Sequence, residues 1–174
     1  ISTIRLNHSV LSYGYIFKIK DKVGRFNRDK AIKLGIPVGP LFSKLQDGKT
    51  IKLNGKIIKP EEVIDKKFKR FGKKIAYLLD TYALSKAPKD IIDADILIHD
   101  SCFIDEEENK AKEFLHSTSS LAAGFAKICK AKQLCLSHFS SRYKENDVHL
   151  KQAKKIFKNT IAPNDLDVIE IEDY

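Results

Sequence analysis

An α/β layered domain interrupted by a basic insertion is the fold that this sequence predicts, and three observations predict it. From Ile75 onward, short apolar strands alternate with helices, which is the rhythm of a layered α/β domain. Ahead of them, Thr3–Lys20 is rich in β-branched and aromatic residues. Between the two, residues 21–72 are broken repeatedly by glycine and proline and crowded with lysine and arginine.

Each element follows from its own pattern. Ile4, Leu6 and His8 alternate on one face of a first strand that His8 ends, and Tyr13-Gly14-Tyr15-Ile16-Phe17 forms a second. In the insertion, Gly24, Gly35, Pro37, Gly39, Pro40, Gly48, Gly55 and Pro60 punctuate the chain. They leave one short helix, Arg28–Leu34, and a hairpin of Thr50–Leu53 with Lys56–Ile58 about Asn54-Gly55. The segment has little apolar material for its length, so an extension projecting from the domain is expected. Ile75–Leu79 and Ile96–Ile98 read as compact strands, and Glu106–Phe114 as a charged helix. Thr118–Lys132 reads as a longer helix, with Leu121, Phe125 and Ile128 along one face and Ser117 placed to cap it. Gln133–Ser137 is a strand, Asp147–Lys158 a helix with His149 on its surface, and Asp167–Ile171 a last strand.

Composition narrows the class. The 174 residues are 43% hydrophobic and 32% charged, as a globular protein requires. No apolar run approaches the ~20 residues that span a bilayer, and no signal peptide is read at the start. The chain begins at Ile1 and contains no Met, so missing upstream sequence is expected. Cys102, Cys129 and Cys135 form no close pair, which speaks against disulfides and thiolate zinc, for a reducing cytoplasm, and for three small core residues. The net charge of +9 is concentrated: residues 18–74 hold 18 Lys or Arg against 6 Asp or Glu, while the remainder holds 14 against 17. Such a segment attracts a polyanion, or is a solvated lysine-rich face.

Histidines and one aspartate fall where α/β folds build sites. His8 ends the first strand, Asp80 follows Ile75–Leu79, His138 follows Gln133–Ser137, and His116 precedes a helix. Imidazole and carboxylate are zinc ligands in hydrolytic sites, and they are equally ordinary caps and structural residues at strand ends.

The words around these residues say more. They are Leu6-Asn7-His8-Ser9-Val10, Gly35-Ile36-Pro37-Val38-Gly39-Pro40, Leu79-Asp80-Thr81, Ala94-Asp95-Ile96-Leu97-Ile98-His99-Asp100, His116-Ser117-Thr118 and Leu136-Ser137-His138-Phe139-Ser140-Ser141-Arg142-Tyr143. In this order and spacing the chain resembles ribonuclease Z, the endonuclease that trims the 3′ end of precursor tRNA, from Thr3 to nearly the last residue.

The resemblance implies the C-terminal half of a metallo-β-lactamase fold, an αββα sandwich with two zinc ions at one edge, of the family's short form. Residues 1–20 and 73–174 would form the half-domain and residues 21–72 a flexible arm that grips tRNA. His8, Asp80 and His138 match metal ligands, Asp80 as the bridge between the two ions. His116 matches a catalytic histidine that protonates the leaving oxygen. Asp100 stands where the family usually has Glu, in the role of orienting His116. In the arm, Gly39-Pro40 matches the motif at its base, and Lys66, Lys67, Lys69, Arg70, Lys73 and Lys74 would meet phosphates. Arg142 would contact RNA or make a structural salt bridge. The family's His-x-His-x-Asp-His block has no counterpart in the chain, so the chain alone is expected to be inactive without the N-terminal half. A homodimer acting on precursor tRNA is implied, with no membrane. Two alternatives stand beside this reading: a non-catalytic tRNA-binding fragment, and a metallohydrolase of another phosphodiester or a sulfate ester.

Overall fold

The computed structural model describes residues 1–171, in this order. The strands Ser2–Arg5 (β1), Tyr13–Lys18 (β2) and Arg25–Phe26 (β3) are followed by helices Arg28–Lys33 (α1) and Pro40–Gln46 (α2). Then come Ile51–Leu53 (β4), Lys56–Ile58 (β5), Ile64–Asp65 (β6), Lys74–Leu78 (β7) and Ile96–Asp100 (β8). Helices Glu108–Phe114 (α3) and Ser119–Ile128 (α4), strand Gln133–Ser137 (β9), helix Asp147–Ile156 (α5) and strand Thr160–Ile161 (β10) complete the chain. Among the described residues no helix is long and apolar enough to cross a membrane.

The chain divides into two compact units, one of Ile1–Lys18 with the chain from Lys73 onward, the other built on Ile19–Gly72. The first holds a six-stranded sheet in the order β1-β2-β7-β8-β9-β10. β1, β2 and β7 pair antiparallel, whereas β7, β8, β9 and β10 run parallel. Parallel strands need crossovers, and α3 with α4 supplies one and α5 another. The central strands β8 and β9 are nearly continuous apolar runs because they are covered on both faces. Register then decides the site. Leu78 pairs with His99 and Asp100 with Ser137, so the chain leaves β7, β8 and β9 at one carboxyl edge, with residues 80, 100 and 138 side by side.

On one face Ile16, Ala76, Leu78, Leu97, Leu134 and Leu136 pack with α4, which contributes Ala122, Ala123, Phe125 and Ala126. Alanines let the helix approach closely, and the fully buried Phe125 fills the remaining space. The opposite face of β2 and β7 carries Tyr13, Tyr15, Phe17 and Tyr77, all 39–47% exposed, with Tyr15 directly opposite Tyr77.

Several elements differ from the sequence reading. β1 stops at Arg5, so His8 does not end it; Asn7 instead makes an isolated bridge to Tyr82. Thr118, not Ser117, caps α4, its hydroxyl accepting from Leu121 N–H at 3.3 Å. Ile128 lies on the outer side of α4, 51% exposed. Asp167–Ile171 forms no strand; Asp167, Val168 and Glu170 are exposed and Ile169 and Ile171 half-buried, and the edge of the sheet is Thr160–Ile161.

The second unit is not poor in core. Ala31, Ile36, Phe42, Leu45, Ile51, Ile58, Val63 and Ile64 form its own buried cluster. The sequence reading passed over α2, which Pro40 starts at N1 after Gly39, where its missing N–H costs nothing. β4 and β5 pair as expected about Asn54 and Gly55, both at positive φ (47° and 80°), as a type I′ turn demands. The ends of the unit run together, Lys22 and Arg70 exchanging backbone hydrogen bonds of 2.8 and 3.0 Å. A Cβ on Gly72 would stand 1.9 Å from the Ile19 carbonyl oxygen, so only glycine fits there.

Phe125→Ala is expected to lower stability by about 3–5 kcal/mol in urea unfolding, and Ile128→Ala by under about 1 kcal/mol. Equal losses would contradict the face assigned to α4.

Candidate metal centre

The carboxyl edge of the parallel strands gathers the chemistry. His138 immediately follows β9 and Asp80 lies two residues past the end of β7, and both sit in the left-handed region, at φ 63° and 54°. For residues other than glycine this costs of order 1–3 kcal/mol each and persists only where the surroundings over-determine it. Here they do. Tyr82 N–H donates to the Asn7 carbonyl at 2.9 Å, Ser101 N–H to that of Ser137 at 2.9 Å, and Ser140 N–H to that of Cys102 at 3.2 Å.

At the centre lies the carboxylate of Asp100, with no solvent exposure. Its Oδ1 accepts the N–H groups of Cys102 (3.0 Å) and Ser117 (3.1 Å). Its Oδ2 accepts Thr81 N–H at 3.2 Å and His116 Nδ1–H at 2.7 Å, with His138 Nδ1 at 3.4 Å. Burial is the largest single influence on this carboxyl and raises its pKa. The hydrogen bonds from His116, His138, Cys102 and Ser117 together outweigh it and hold the group well below the ordinary carboxylate range. Donation of the His116 Nδ1 proton leaves Nε2 as the ring's outward nitrogen.

His138 joins two carboxylates. Its Nε2 lies 2.9 Å from Asp80 Oδ1. Its pKa is pushed up to about 10, first by the hydrogen bond to Asp100, then by one to Cys102, against burial. Single donor atoms of Asp80, Asp100, His116 and His138 all lie within 4.8 Å of one another, and so do those of Cys102, His116 and His138. His8 is outside both sets. Its ring is 4.9 Å from that of His116, and its Nδ1 is 3.2 Å from the Leu115 carbonyl. The His116 and His138 rings are 5.1 Å apart and nearly parallel. A donor set of imidazoles and carboxylates with one half-exposed member suits a divalent metal ion, zinc among them.

The other residues singled out from the sequence are placed as follows. Arg142 is committed to Glu107, its Nη1 3.0 Å from the carboxylate, with its guanidinium 4.9 Å above the Phe103 ring centre. Lys66, Lys67, Lys69 and Arg70 are all exposed in the second unit, Lys66 3.6 Å from Glu61 and Lys69 4.5 Å from the centre of the Phe71 ring. Gly39 and the exposed Pro40 begin α2. Lys74 lies in β7 with its amino group on the Ile92 carbonyl, which corrects the expectation that it meets phosphate.

Two further corrections concern the site itself. Cys129 and Cys135 are buried core residues, but Cys102 is half-buried beside His138. His149 is buried, not on the surface. Its Nδ1 lies 2.9 Å from Ser119 Oγ and 3.3 Å from Ser101 Oγ, and its ring packs edge-on to Phe139 and Tyr143. It thereby props the segments that follow β8 and β9. One sequence signal was available: His149, Gln152 and Ala153 share a helical face that carries no lysine.

These features define a class. The fold matches metallo-β-lactamase structures. A metallo-β-lactamase fold protein of Bacillus subtilis superimposes with a TM-score of 0.55 at 16% identity, covering 92% of this chain and 44% of that one. Human tRNase Z, short form, does so with 0.53 at 24% identity, covering 98% of this chain and 42% of that one. The fold is therefore that of the metallo-β-lactamases.

No family model matches the chain, but individual relatives do. Ribonuclease Z of Nitrosopumilus maritimus is 45% identical over 172 residues, covering 99% of this chain and 57% of that protein. Those of Methanosarcina acetivorans (42%, covering 98% and 56%) and Borreliella burgdorferi (43%, covering 88% and 49%) are comparable. The chain is thus similar to the C-terminal half of ribonuclease Z proteins, and it spans about half the length of these relatives.

Burial pulls the His149 imidazole down to about 4 from its ordinary 6.5. The unfolded chain takes up this proton below pH 6.5 and the folded chain only near pH 4, so stability present above 6.5 is lost between the two. Urea unfolding of the protein is expected to show about 2–3 kcal/mol of such loss from pH 7 to pH 4.5 that His149→Gln lacks. The same pH dependence in the variant would contradict the assignment.

Proposed function

We propose that this chain is part of a zinc-dependent endoribonuclease that removes the 3′ trailer of precursor tRNA. The observation that carries the proposal is the joining of Asp80, Asp100, His116 and His138 at one sheet edge. The kinship with ribonuclease Z supports the substrate. Asp80 and His138 would be metal ligands and Asp80 the bridge between two ions; His8, beside His116, would complete the first site. Zinc bound there supplies Lewis-acid activation of water and neutralises charge on the phosphodiester.

The chain's own residues perform the rest. Asp100 fixes His116 by its Nδ1–H, so that Nε2 faces outward to protonate the leaving oxygen. Asp100, one methylene shorter than the glutamate usual in the family, reaches His116 at 2.7 Å. His138 must surrender its proton to hold a metal, so metal uptake is opposed by acid.

In this reading Ile19–Gly72 is the tRNA-gripping arm, with Lys66, Lys67, Lys69 and Arg70 exposed toward phosphate and Gly39-Pro40 at its base. Arg142 reaches RNA only by releasing Glu107. The remaining ligands come from the N-terminal half of the same enzyme, packed on the aromatic stripe of Tyr13, Tyr15, Phe17 and Tyr77. The enzyme works as a homodimer in the cytoplasm, and this chain alone does not cut. A non-catalytic tRNA-binding role is favoured instead only if the basic unit binds where the edge does nothing.

The test is cleavage of a 3′-extended precursor tRNA by the protein together with its N-terminal half. Asp80→Asn should abolish cutting and His116→Ala should slow it by about 10²–10⁴-fold, both with tRNA binding retained. Replacing Lys66, Lys67, Lys69 and Arg70 by glutamine should weaken binding and flatten its salt dependence by about 0.7–0.9 per lost phosphate contact. Binding without cutting in every sample would leave the arm as the function.

A further inference from the structure

Cys102 is the member of this edge that hydrolysis leaves unused. Its backbone is pinned on both sides, the N–H donating to Asp100 Oδ1 at 3.0 Å and the carbonyl accepting from Ser140 N–H at 3.2 Å. The second tie fastens it to the segment carrying His138. One residue on, Phe103 N–H donates to the Ser117 carbonyl and Ser119 N–H to the Phe103 carbonyl, both at 3.2 Å, which fastens it to the segment carrying His116. Three stretches distant in sequence thus hold one thiol beside two imidazoles.

Cys102 Sγ and one ring nitrogen each of His116 and His138 lie within 4.8 Å of one another. With metal–sulfur bonds of about 2.3 Å and metal–nitrogen bonds of about 2.0–2.1 Å, tetrahedral donors stand roughly 3.5 Å apart, so the set closes on an ion with a shift of about 1 Å. The two donor groups at the edge differ in kind. Asp80 and Asp100 offer hard oxygens to the pair of histidines, and Cys102 offers the same pair a soft sulfur. Thiolate with imidazole selects thiophilic cations, which bind carboxylate and water less well. Cys129 and Cys135 offer no competition, because both are buried, 0% and 2% exposed, in the core.

We propose that Cys102, His116 and His138 form a second, thiophilic cation site, which takes Cd²⁺, or zinc in excess, and withdraws both histidines from hydrolysis. The inhibitory half of this statement rests on the roles given above to His116 and His138. The site itself does not. Because His138 is shared, filling the soft site and filling the hydrolytic site exclude one another.

The test is titration of CdCl₂ into the whole protein with its N-terminal half present, following thiolate-to-cadmium absorption in the ultraviolet. Alkylation of each cysteine by iodoacetamide is mapped alongside by mass spectrometry. One equivalent should produce the absorption and slow alkylation of Cys102 at least tenfold, while MgCl₂ does neither. Cys102→Ser should lose the absorption and require at least tenfold more cadmium for half-inhibition, each rate normalised to its own uninhibited value. Asp80→Asn should lose cleavage yet keep the absorption, so failure of the hydrolytic reading leaves this result standing. An absent absorption, its persistence in Cys102→Ser, or unchanged Cys102 alkylation would overturn the proposal. Should Cys102→Ser fail to fold, protection of Cys102 in the unsubstituted protein decides.

Discussion

The Asp100 carboxylate is the constraint on which the edge of this sheet depends. A fully buried charge is costly unless every lone pair has a donor. Asp100 meets that requirement by drawing in three separate segments: the turn after β7 through Thr81, its own following turn through Cys102, and the approach to α4 through Ser117. The two imidazoles complete the shell. The need to satisfy one anion therefore sets the positions of His116 and His138 relative to Asp80. Removing the charge would leave orphaned donors, and removing a donor would leave an under-satisfied charge.

Parallel register makes this economical. Three neighbouring strands that start level also end level, so polar residues following each of them converge without long loops. The left-handed backbone at Asp80 and His138 turns the chain sharply at that edge, and the strain is held by the hydrogen bonds that lash the turns together. Further out, His149 and its two serines support the turns from the side of α5. The second unit is independently cored and bears Lys66, Lys67, Lys69 and Arg70 exposed.

Much of this was legible in the residues. Gln133–Ser137 is a strand with the predicted bounds, and the Asn54-Gly55 hairpin forms because both residues tolerate positive φ. What was missed has physical causes. α2 is hidden in the sequence because Gly39-Pro40 has the form of an interruption, although proline at N1 begins helices well. The alternation in Asp167–Ile171 suggested a strand, and it marks only the half-buried Ile169 and Ile171 on one side, with Val168 88% exposed on the other and no strand pairing. His149 was misplaced because α5 buries small and polar residues while Val148 points outward, reversing the usual hydrophobic cue. The strand-end rule located Asp80 and His138. It could not reveal Cys102, whose place depends on backbone ties to residues 38 positions away at Ser140.

The most direct measurement of the organising role of Asp100 is histidine NMR titration of the metal-free protein with Asp100 and with Asp100→Asn. With the carboxylate present, His138 should hold its proton to about pH 10, and His116 should show an Nδ1-protonated ring. In Asp100→Asn the His138 transition should fall by at least one pH unit and the Nδ1–H signal of His116 should be lost or shifted, with the fold retained. If the His138 transition and the His116 Nδ1–H signal are both unchanged in the variant, the carboxylate does not organise the site and the account of this edge is wrong.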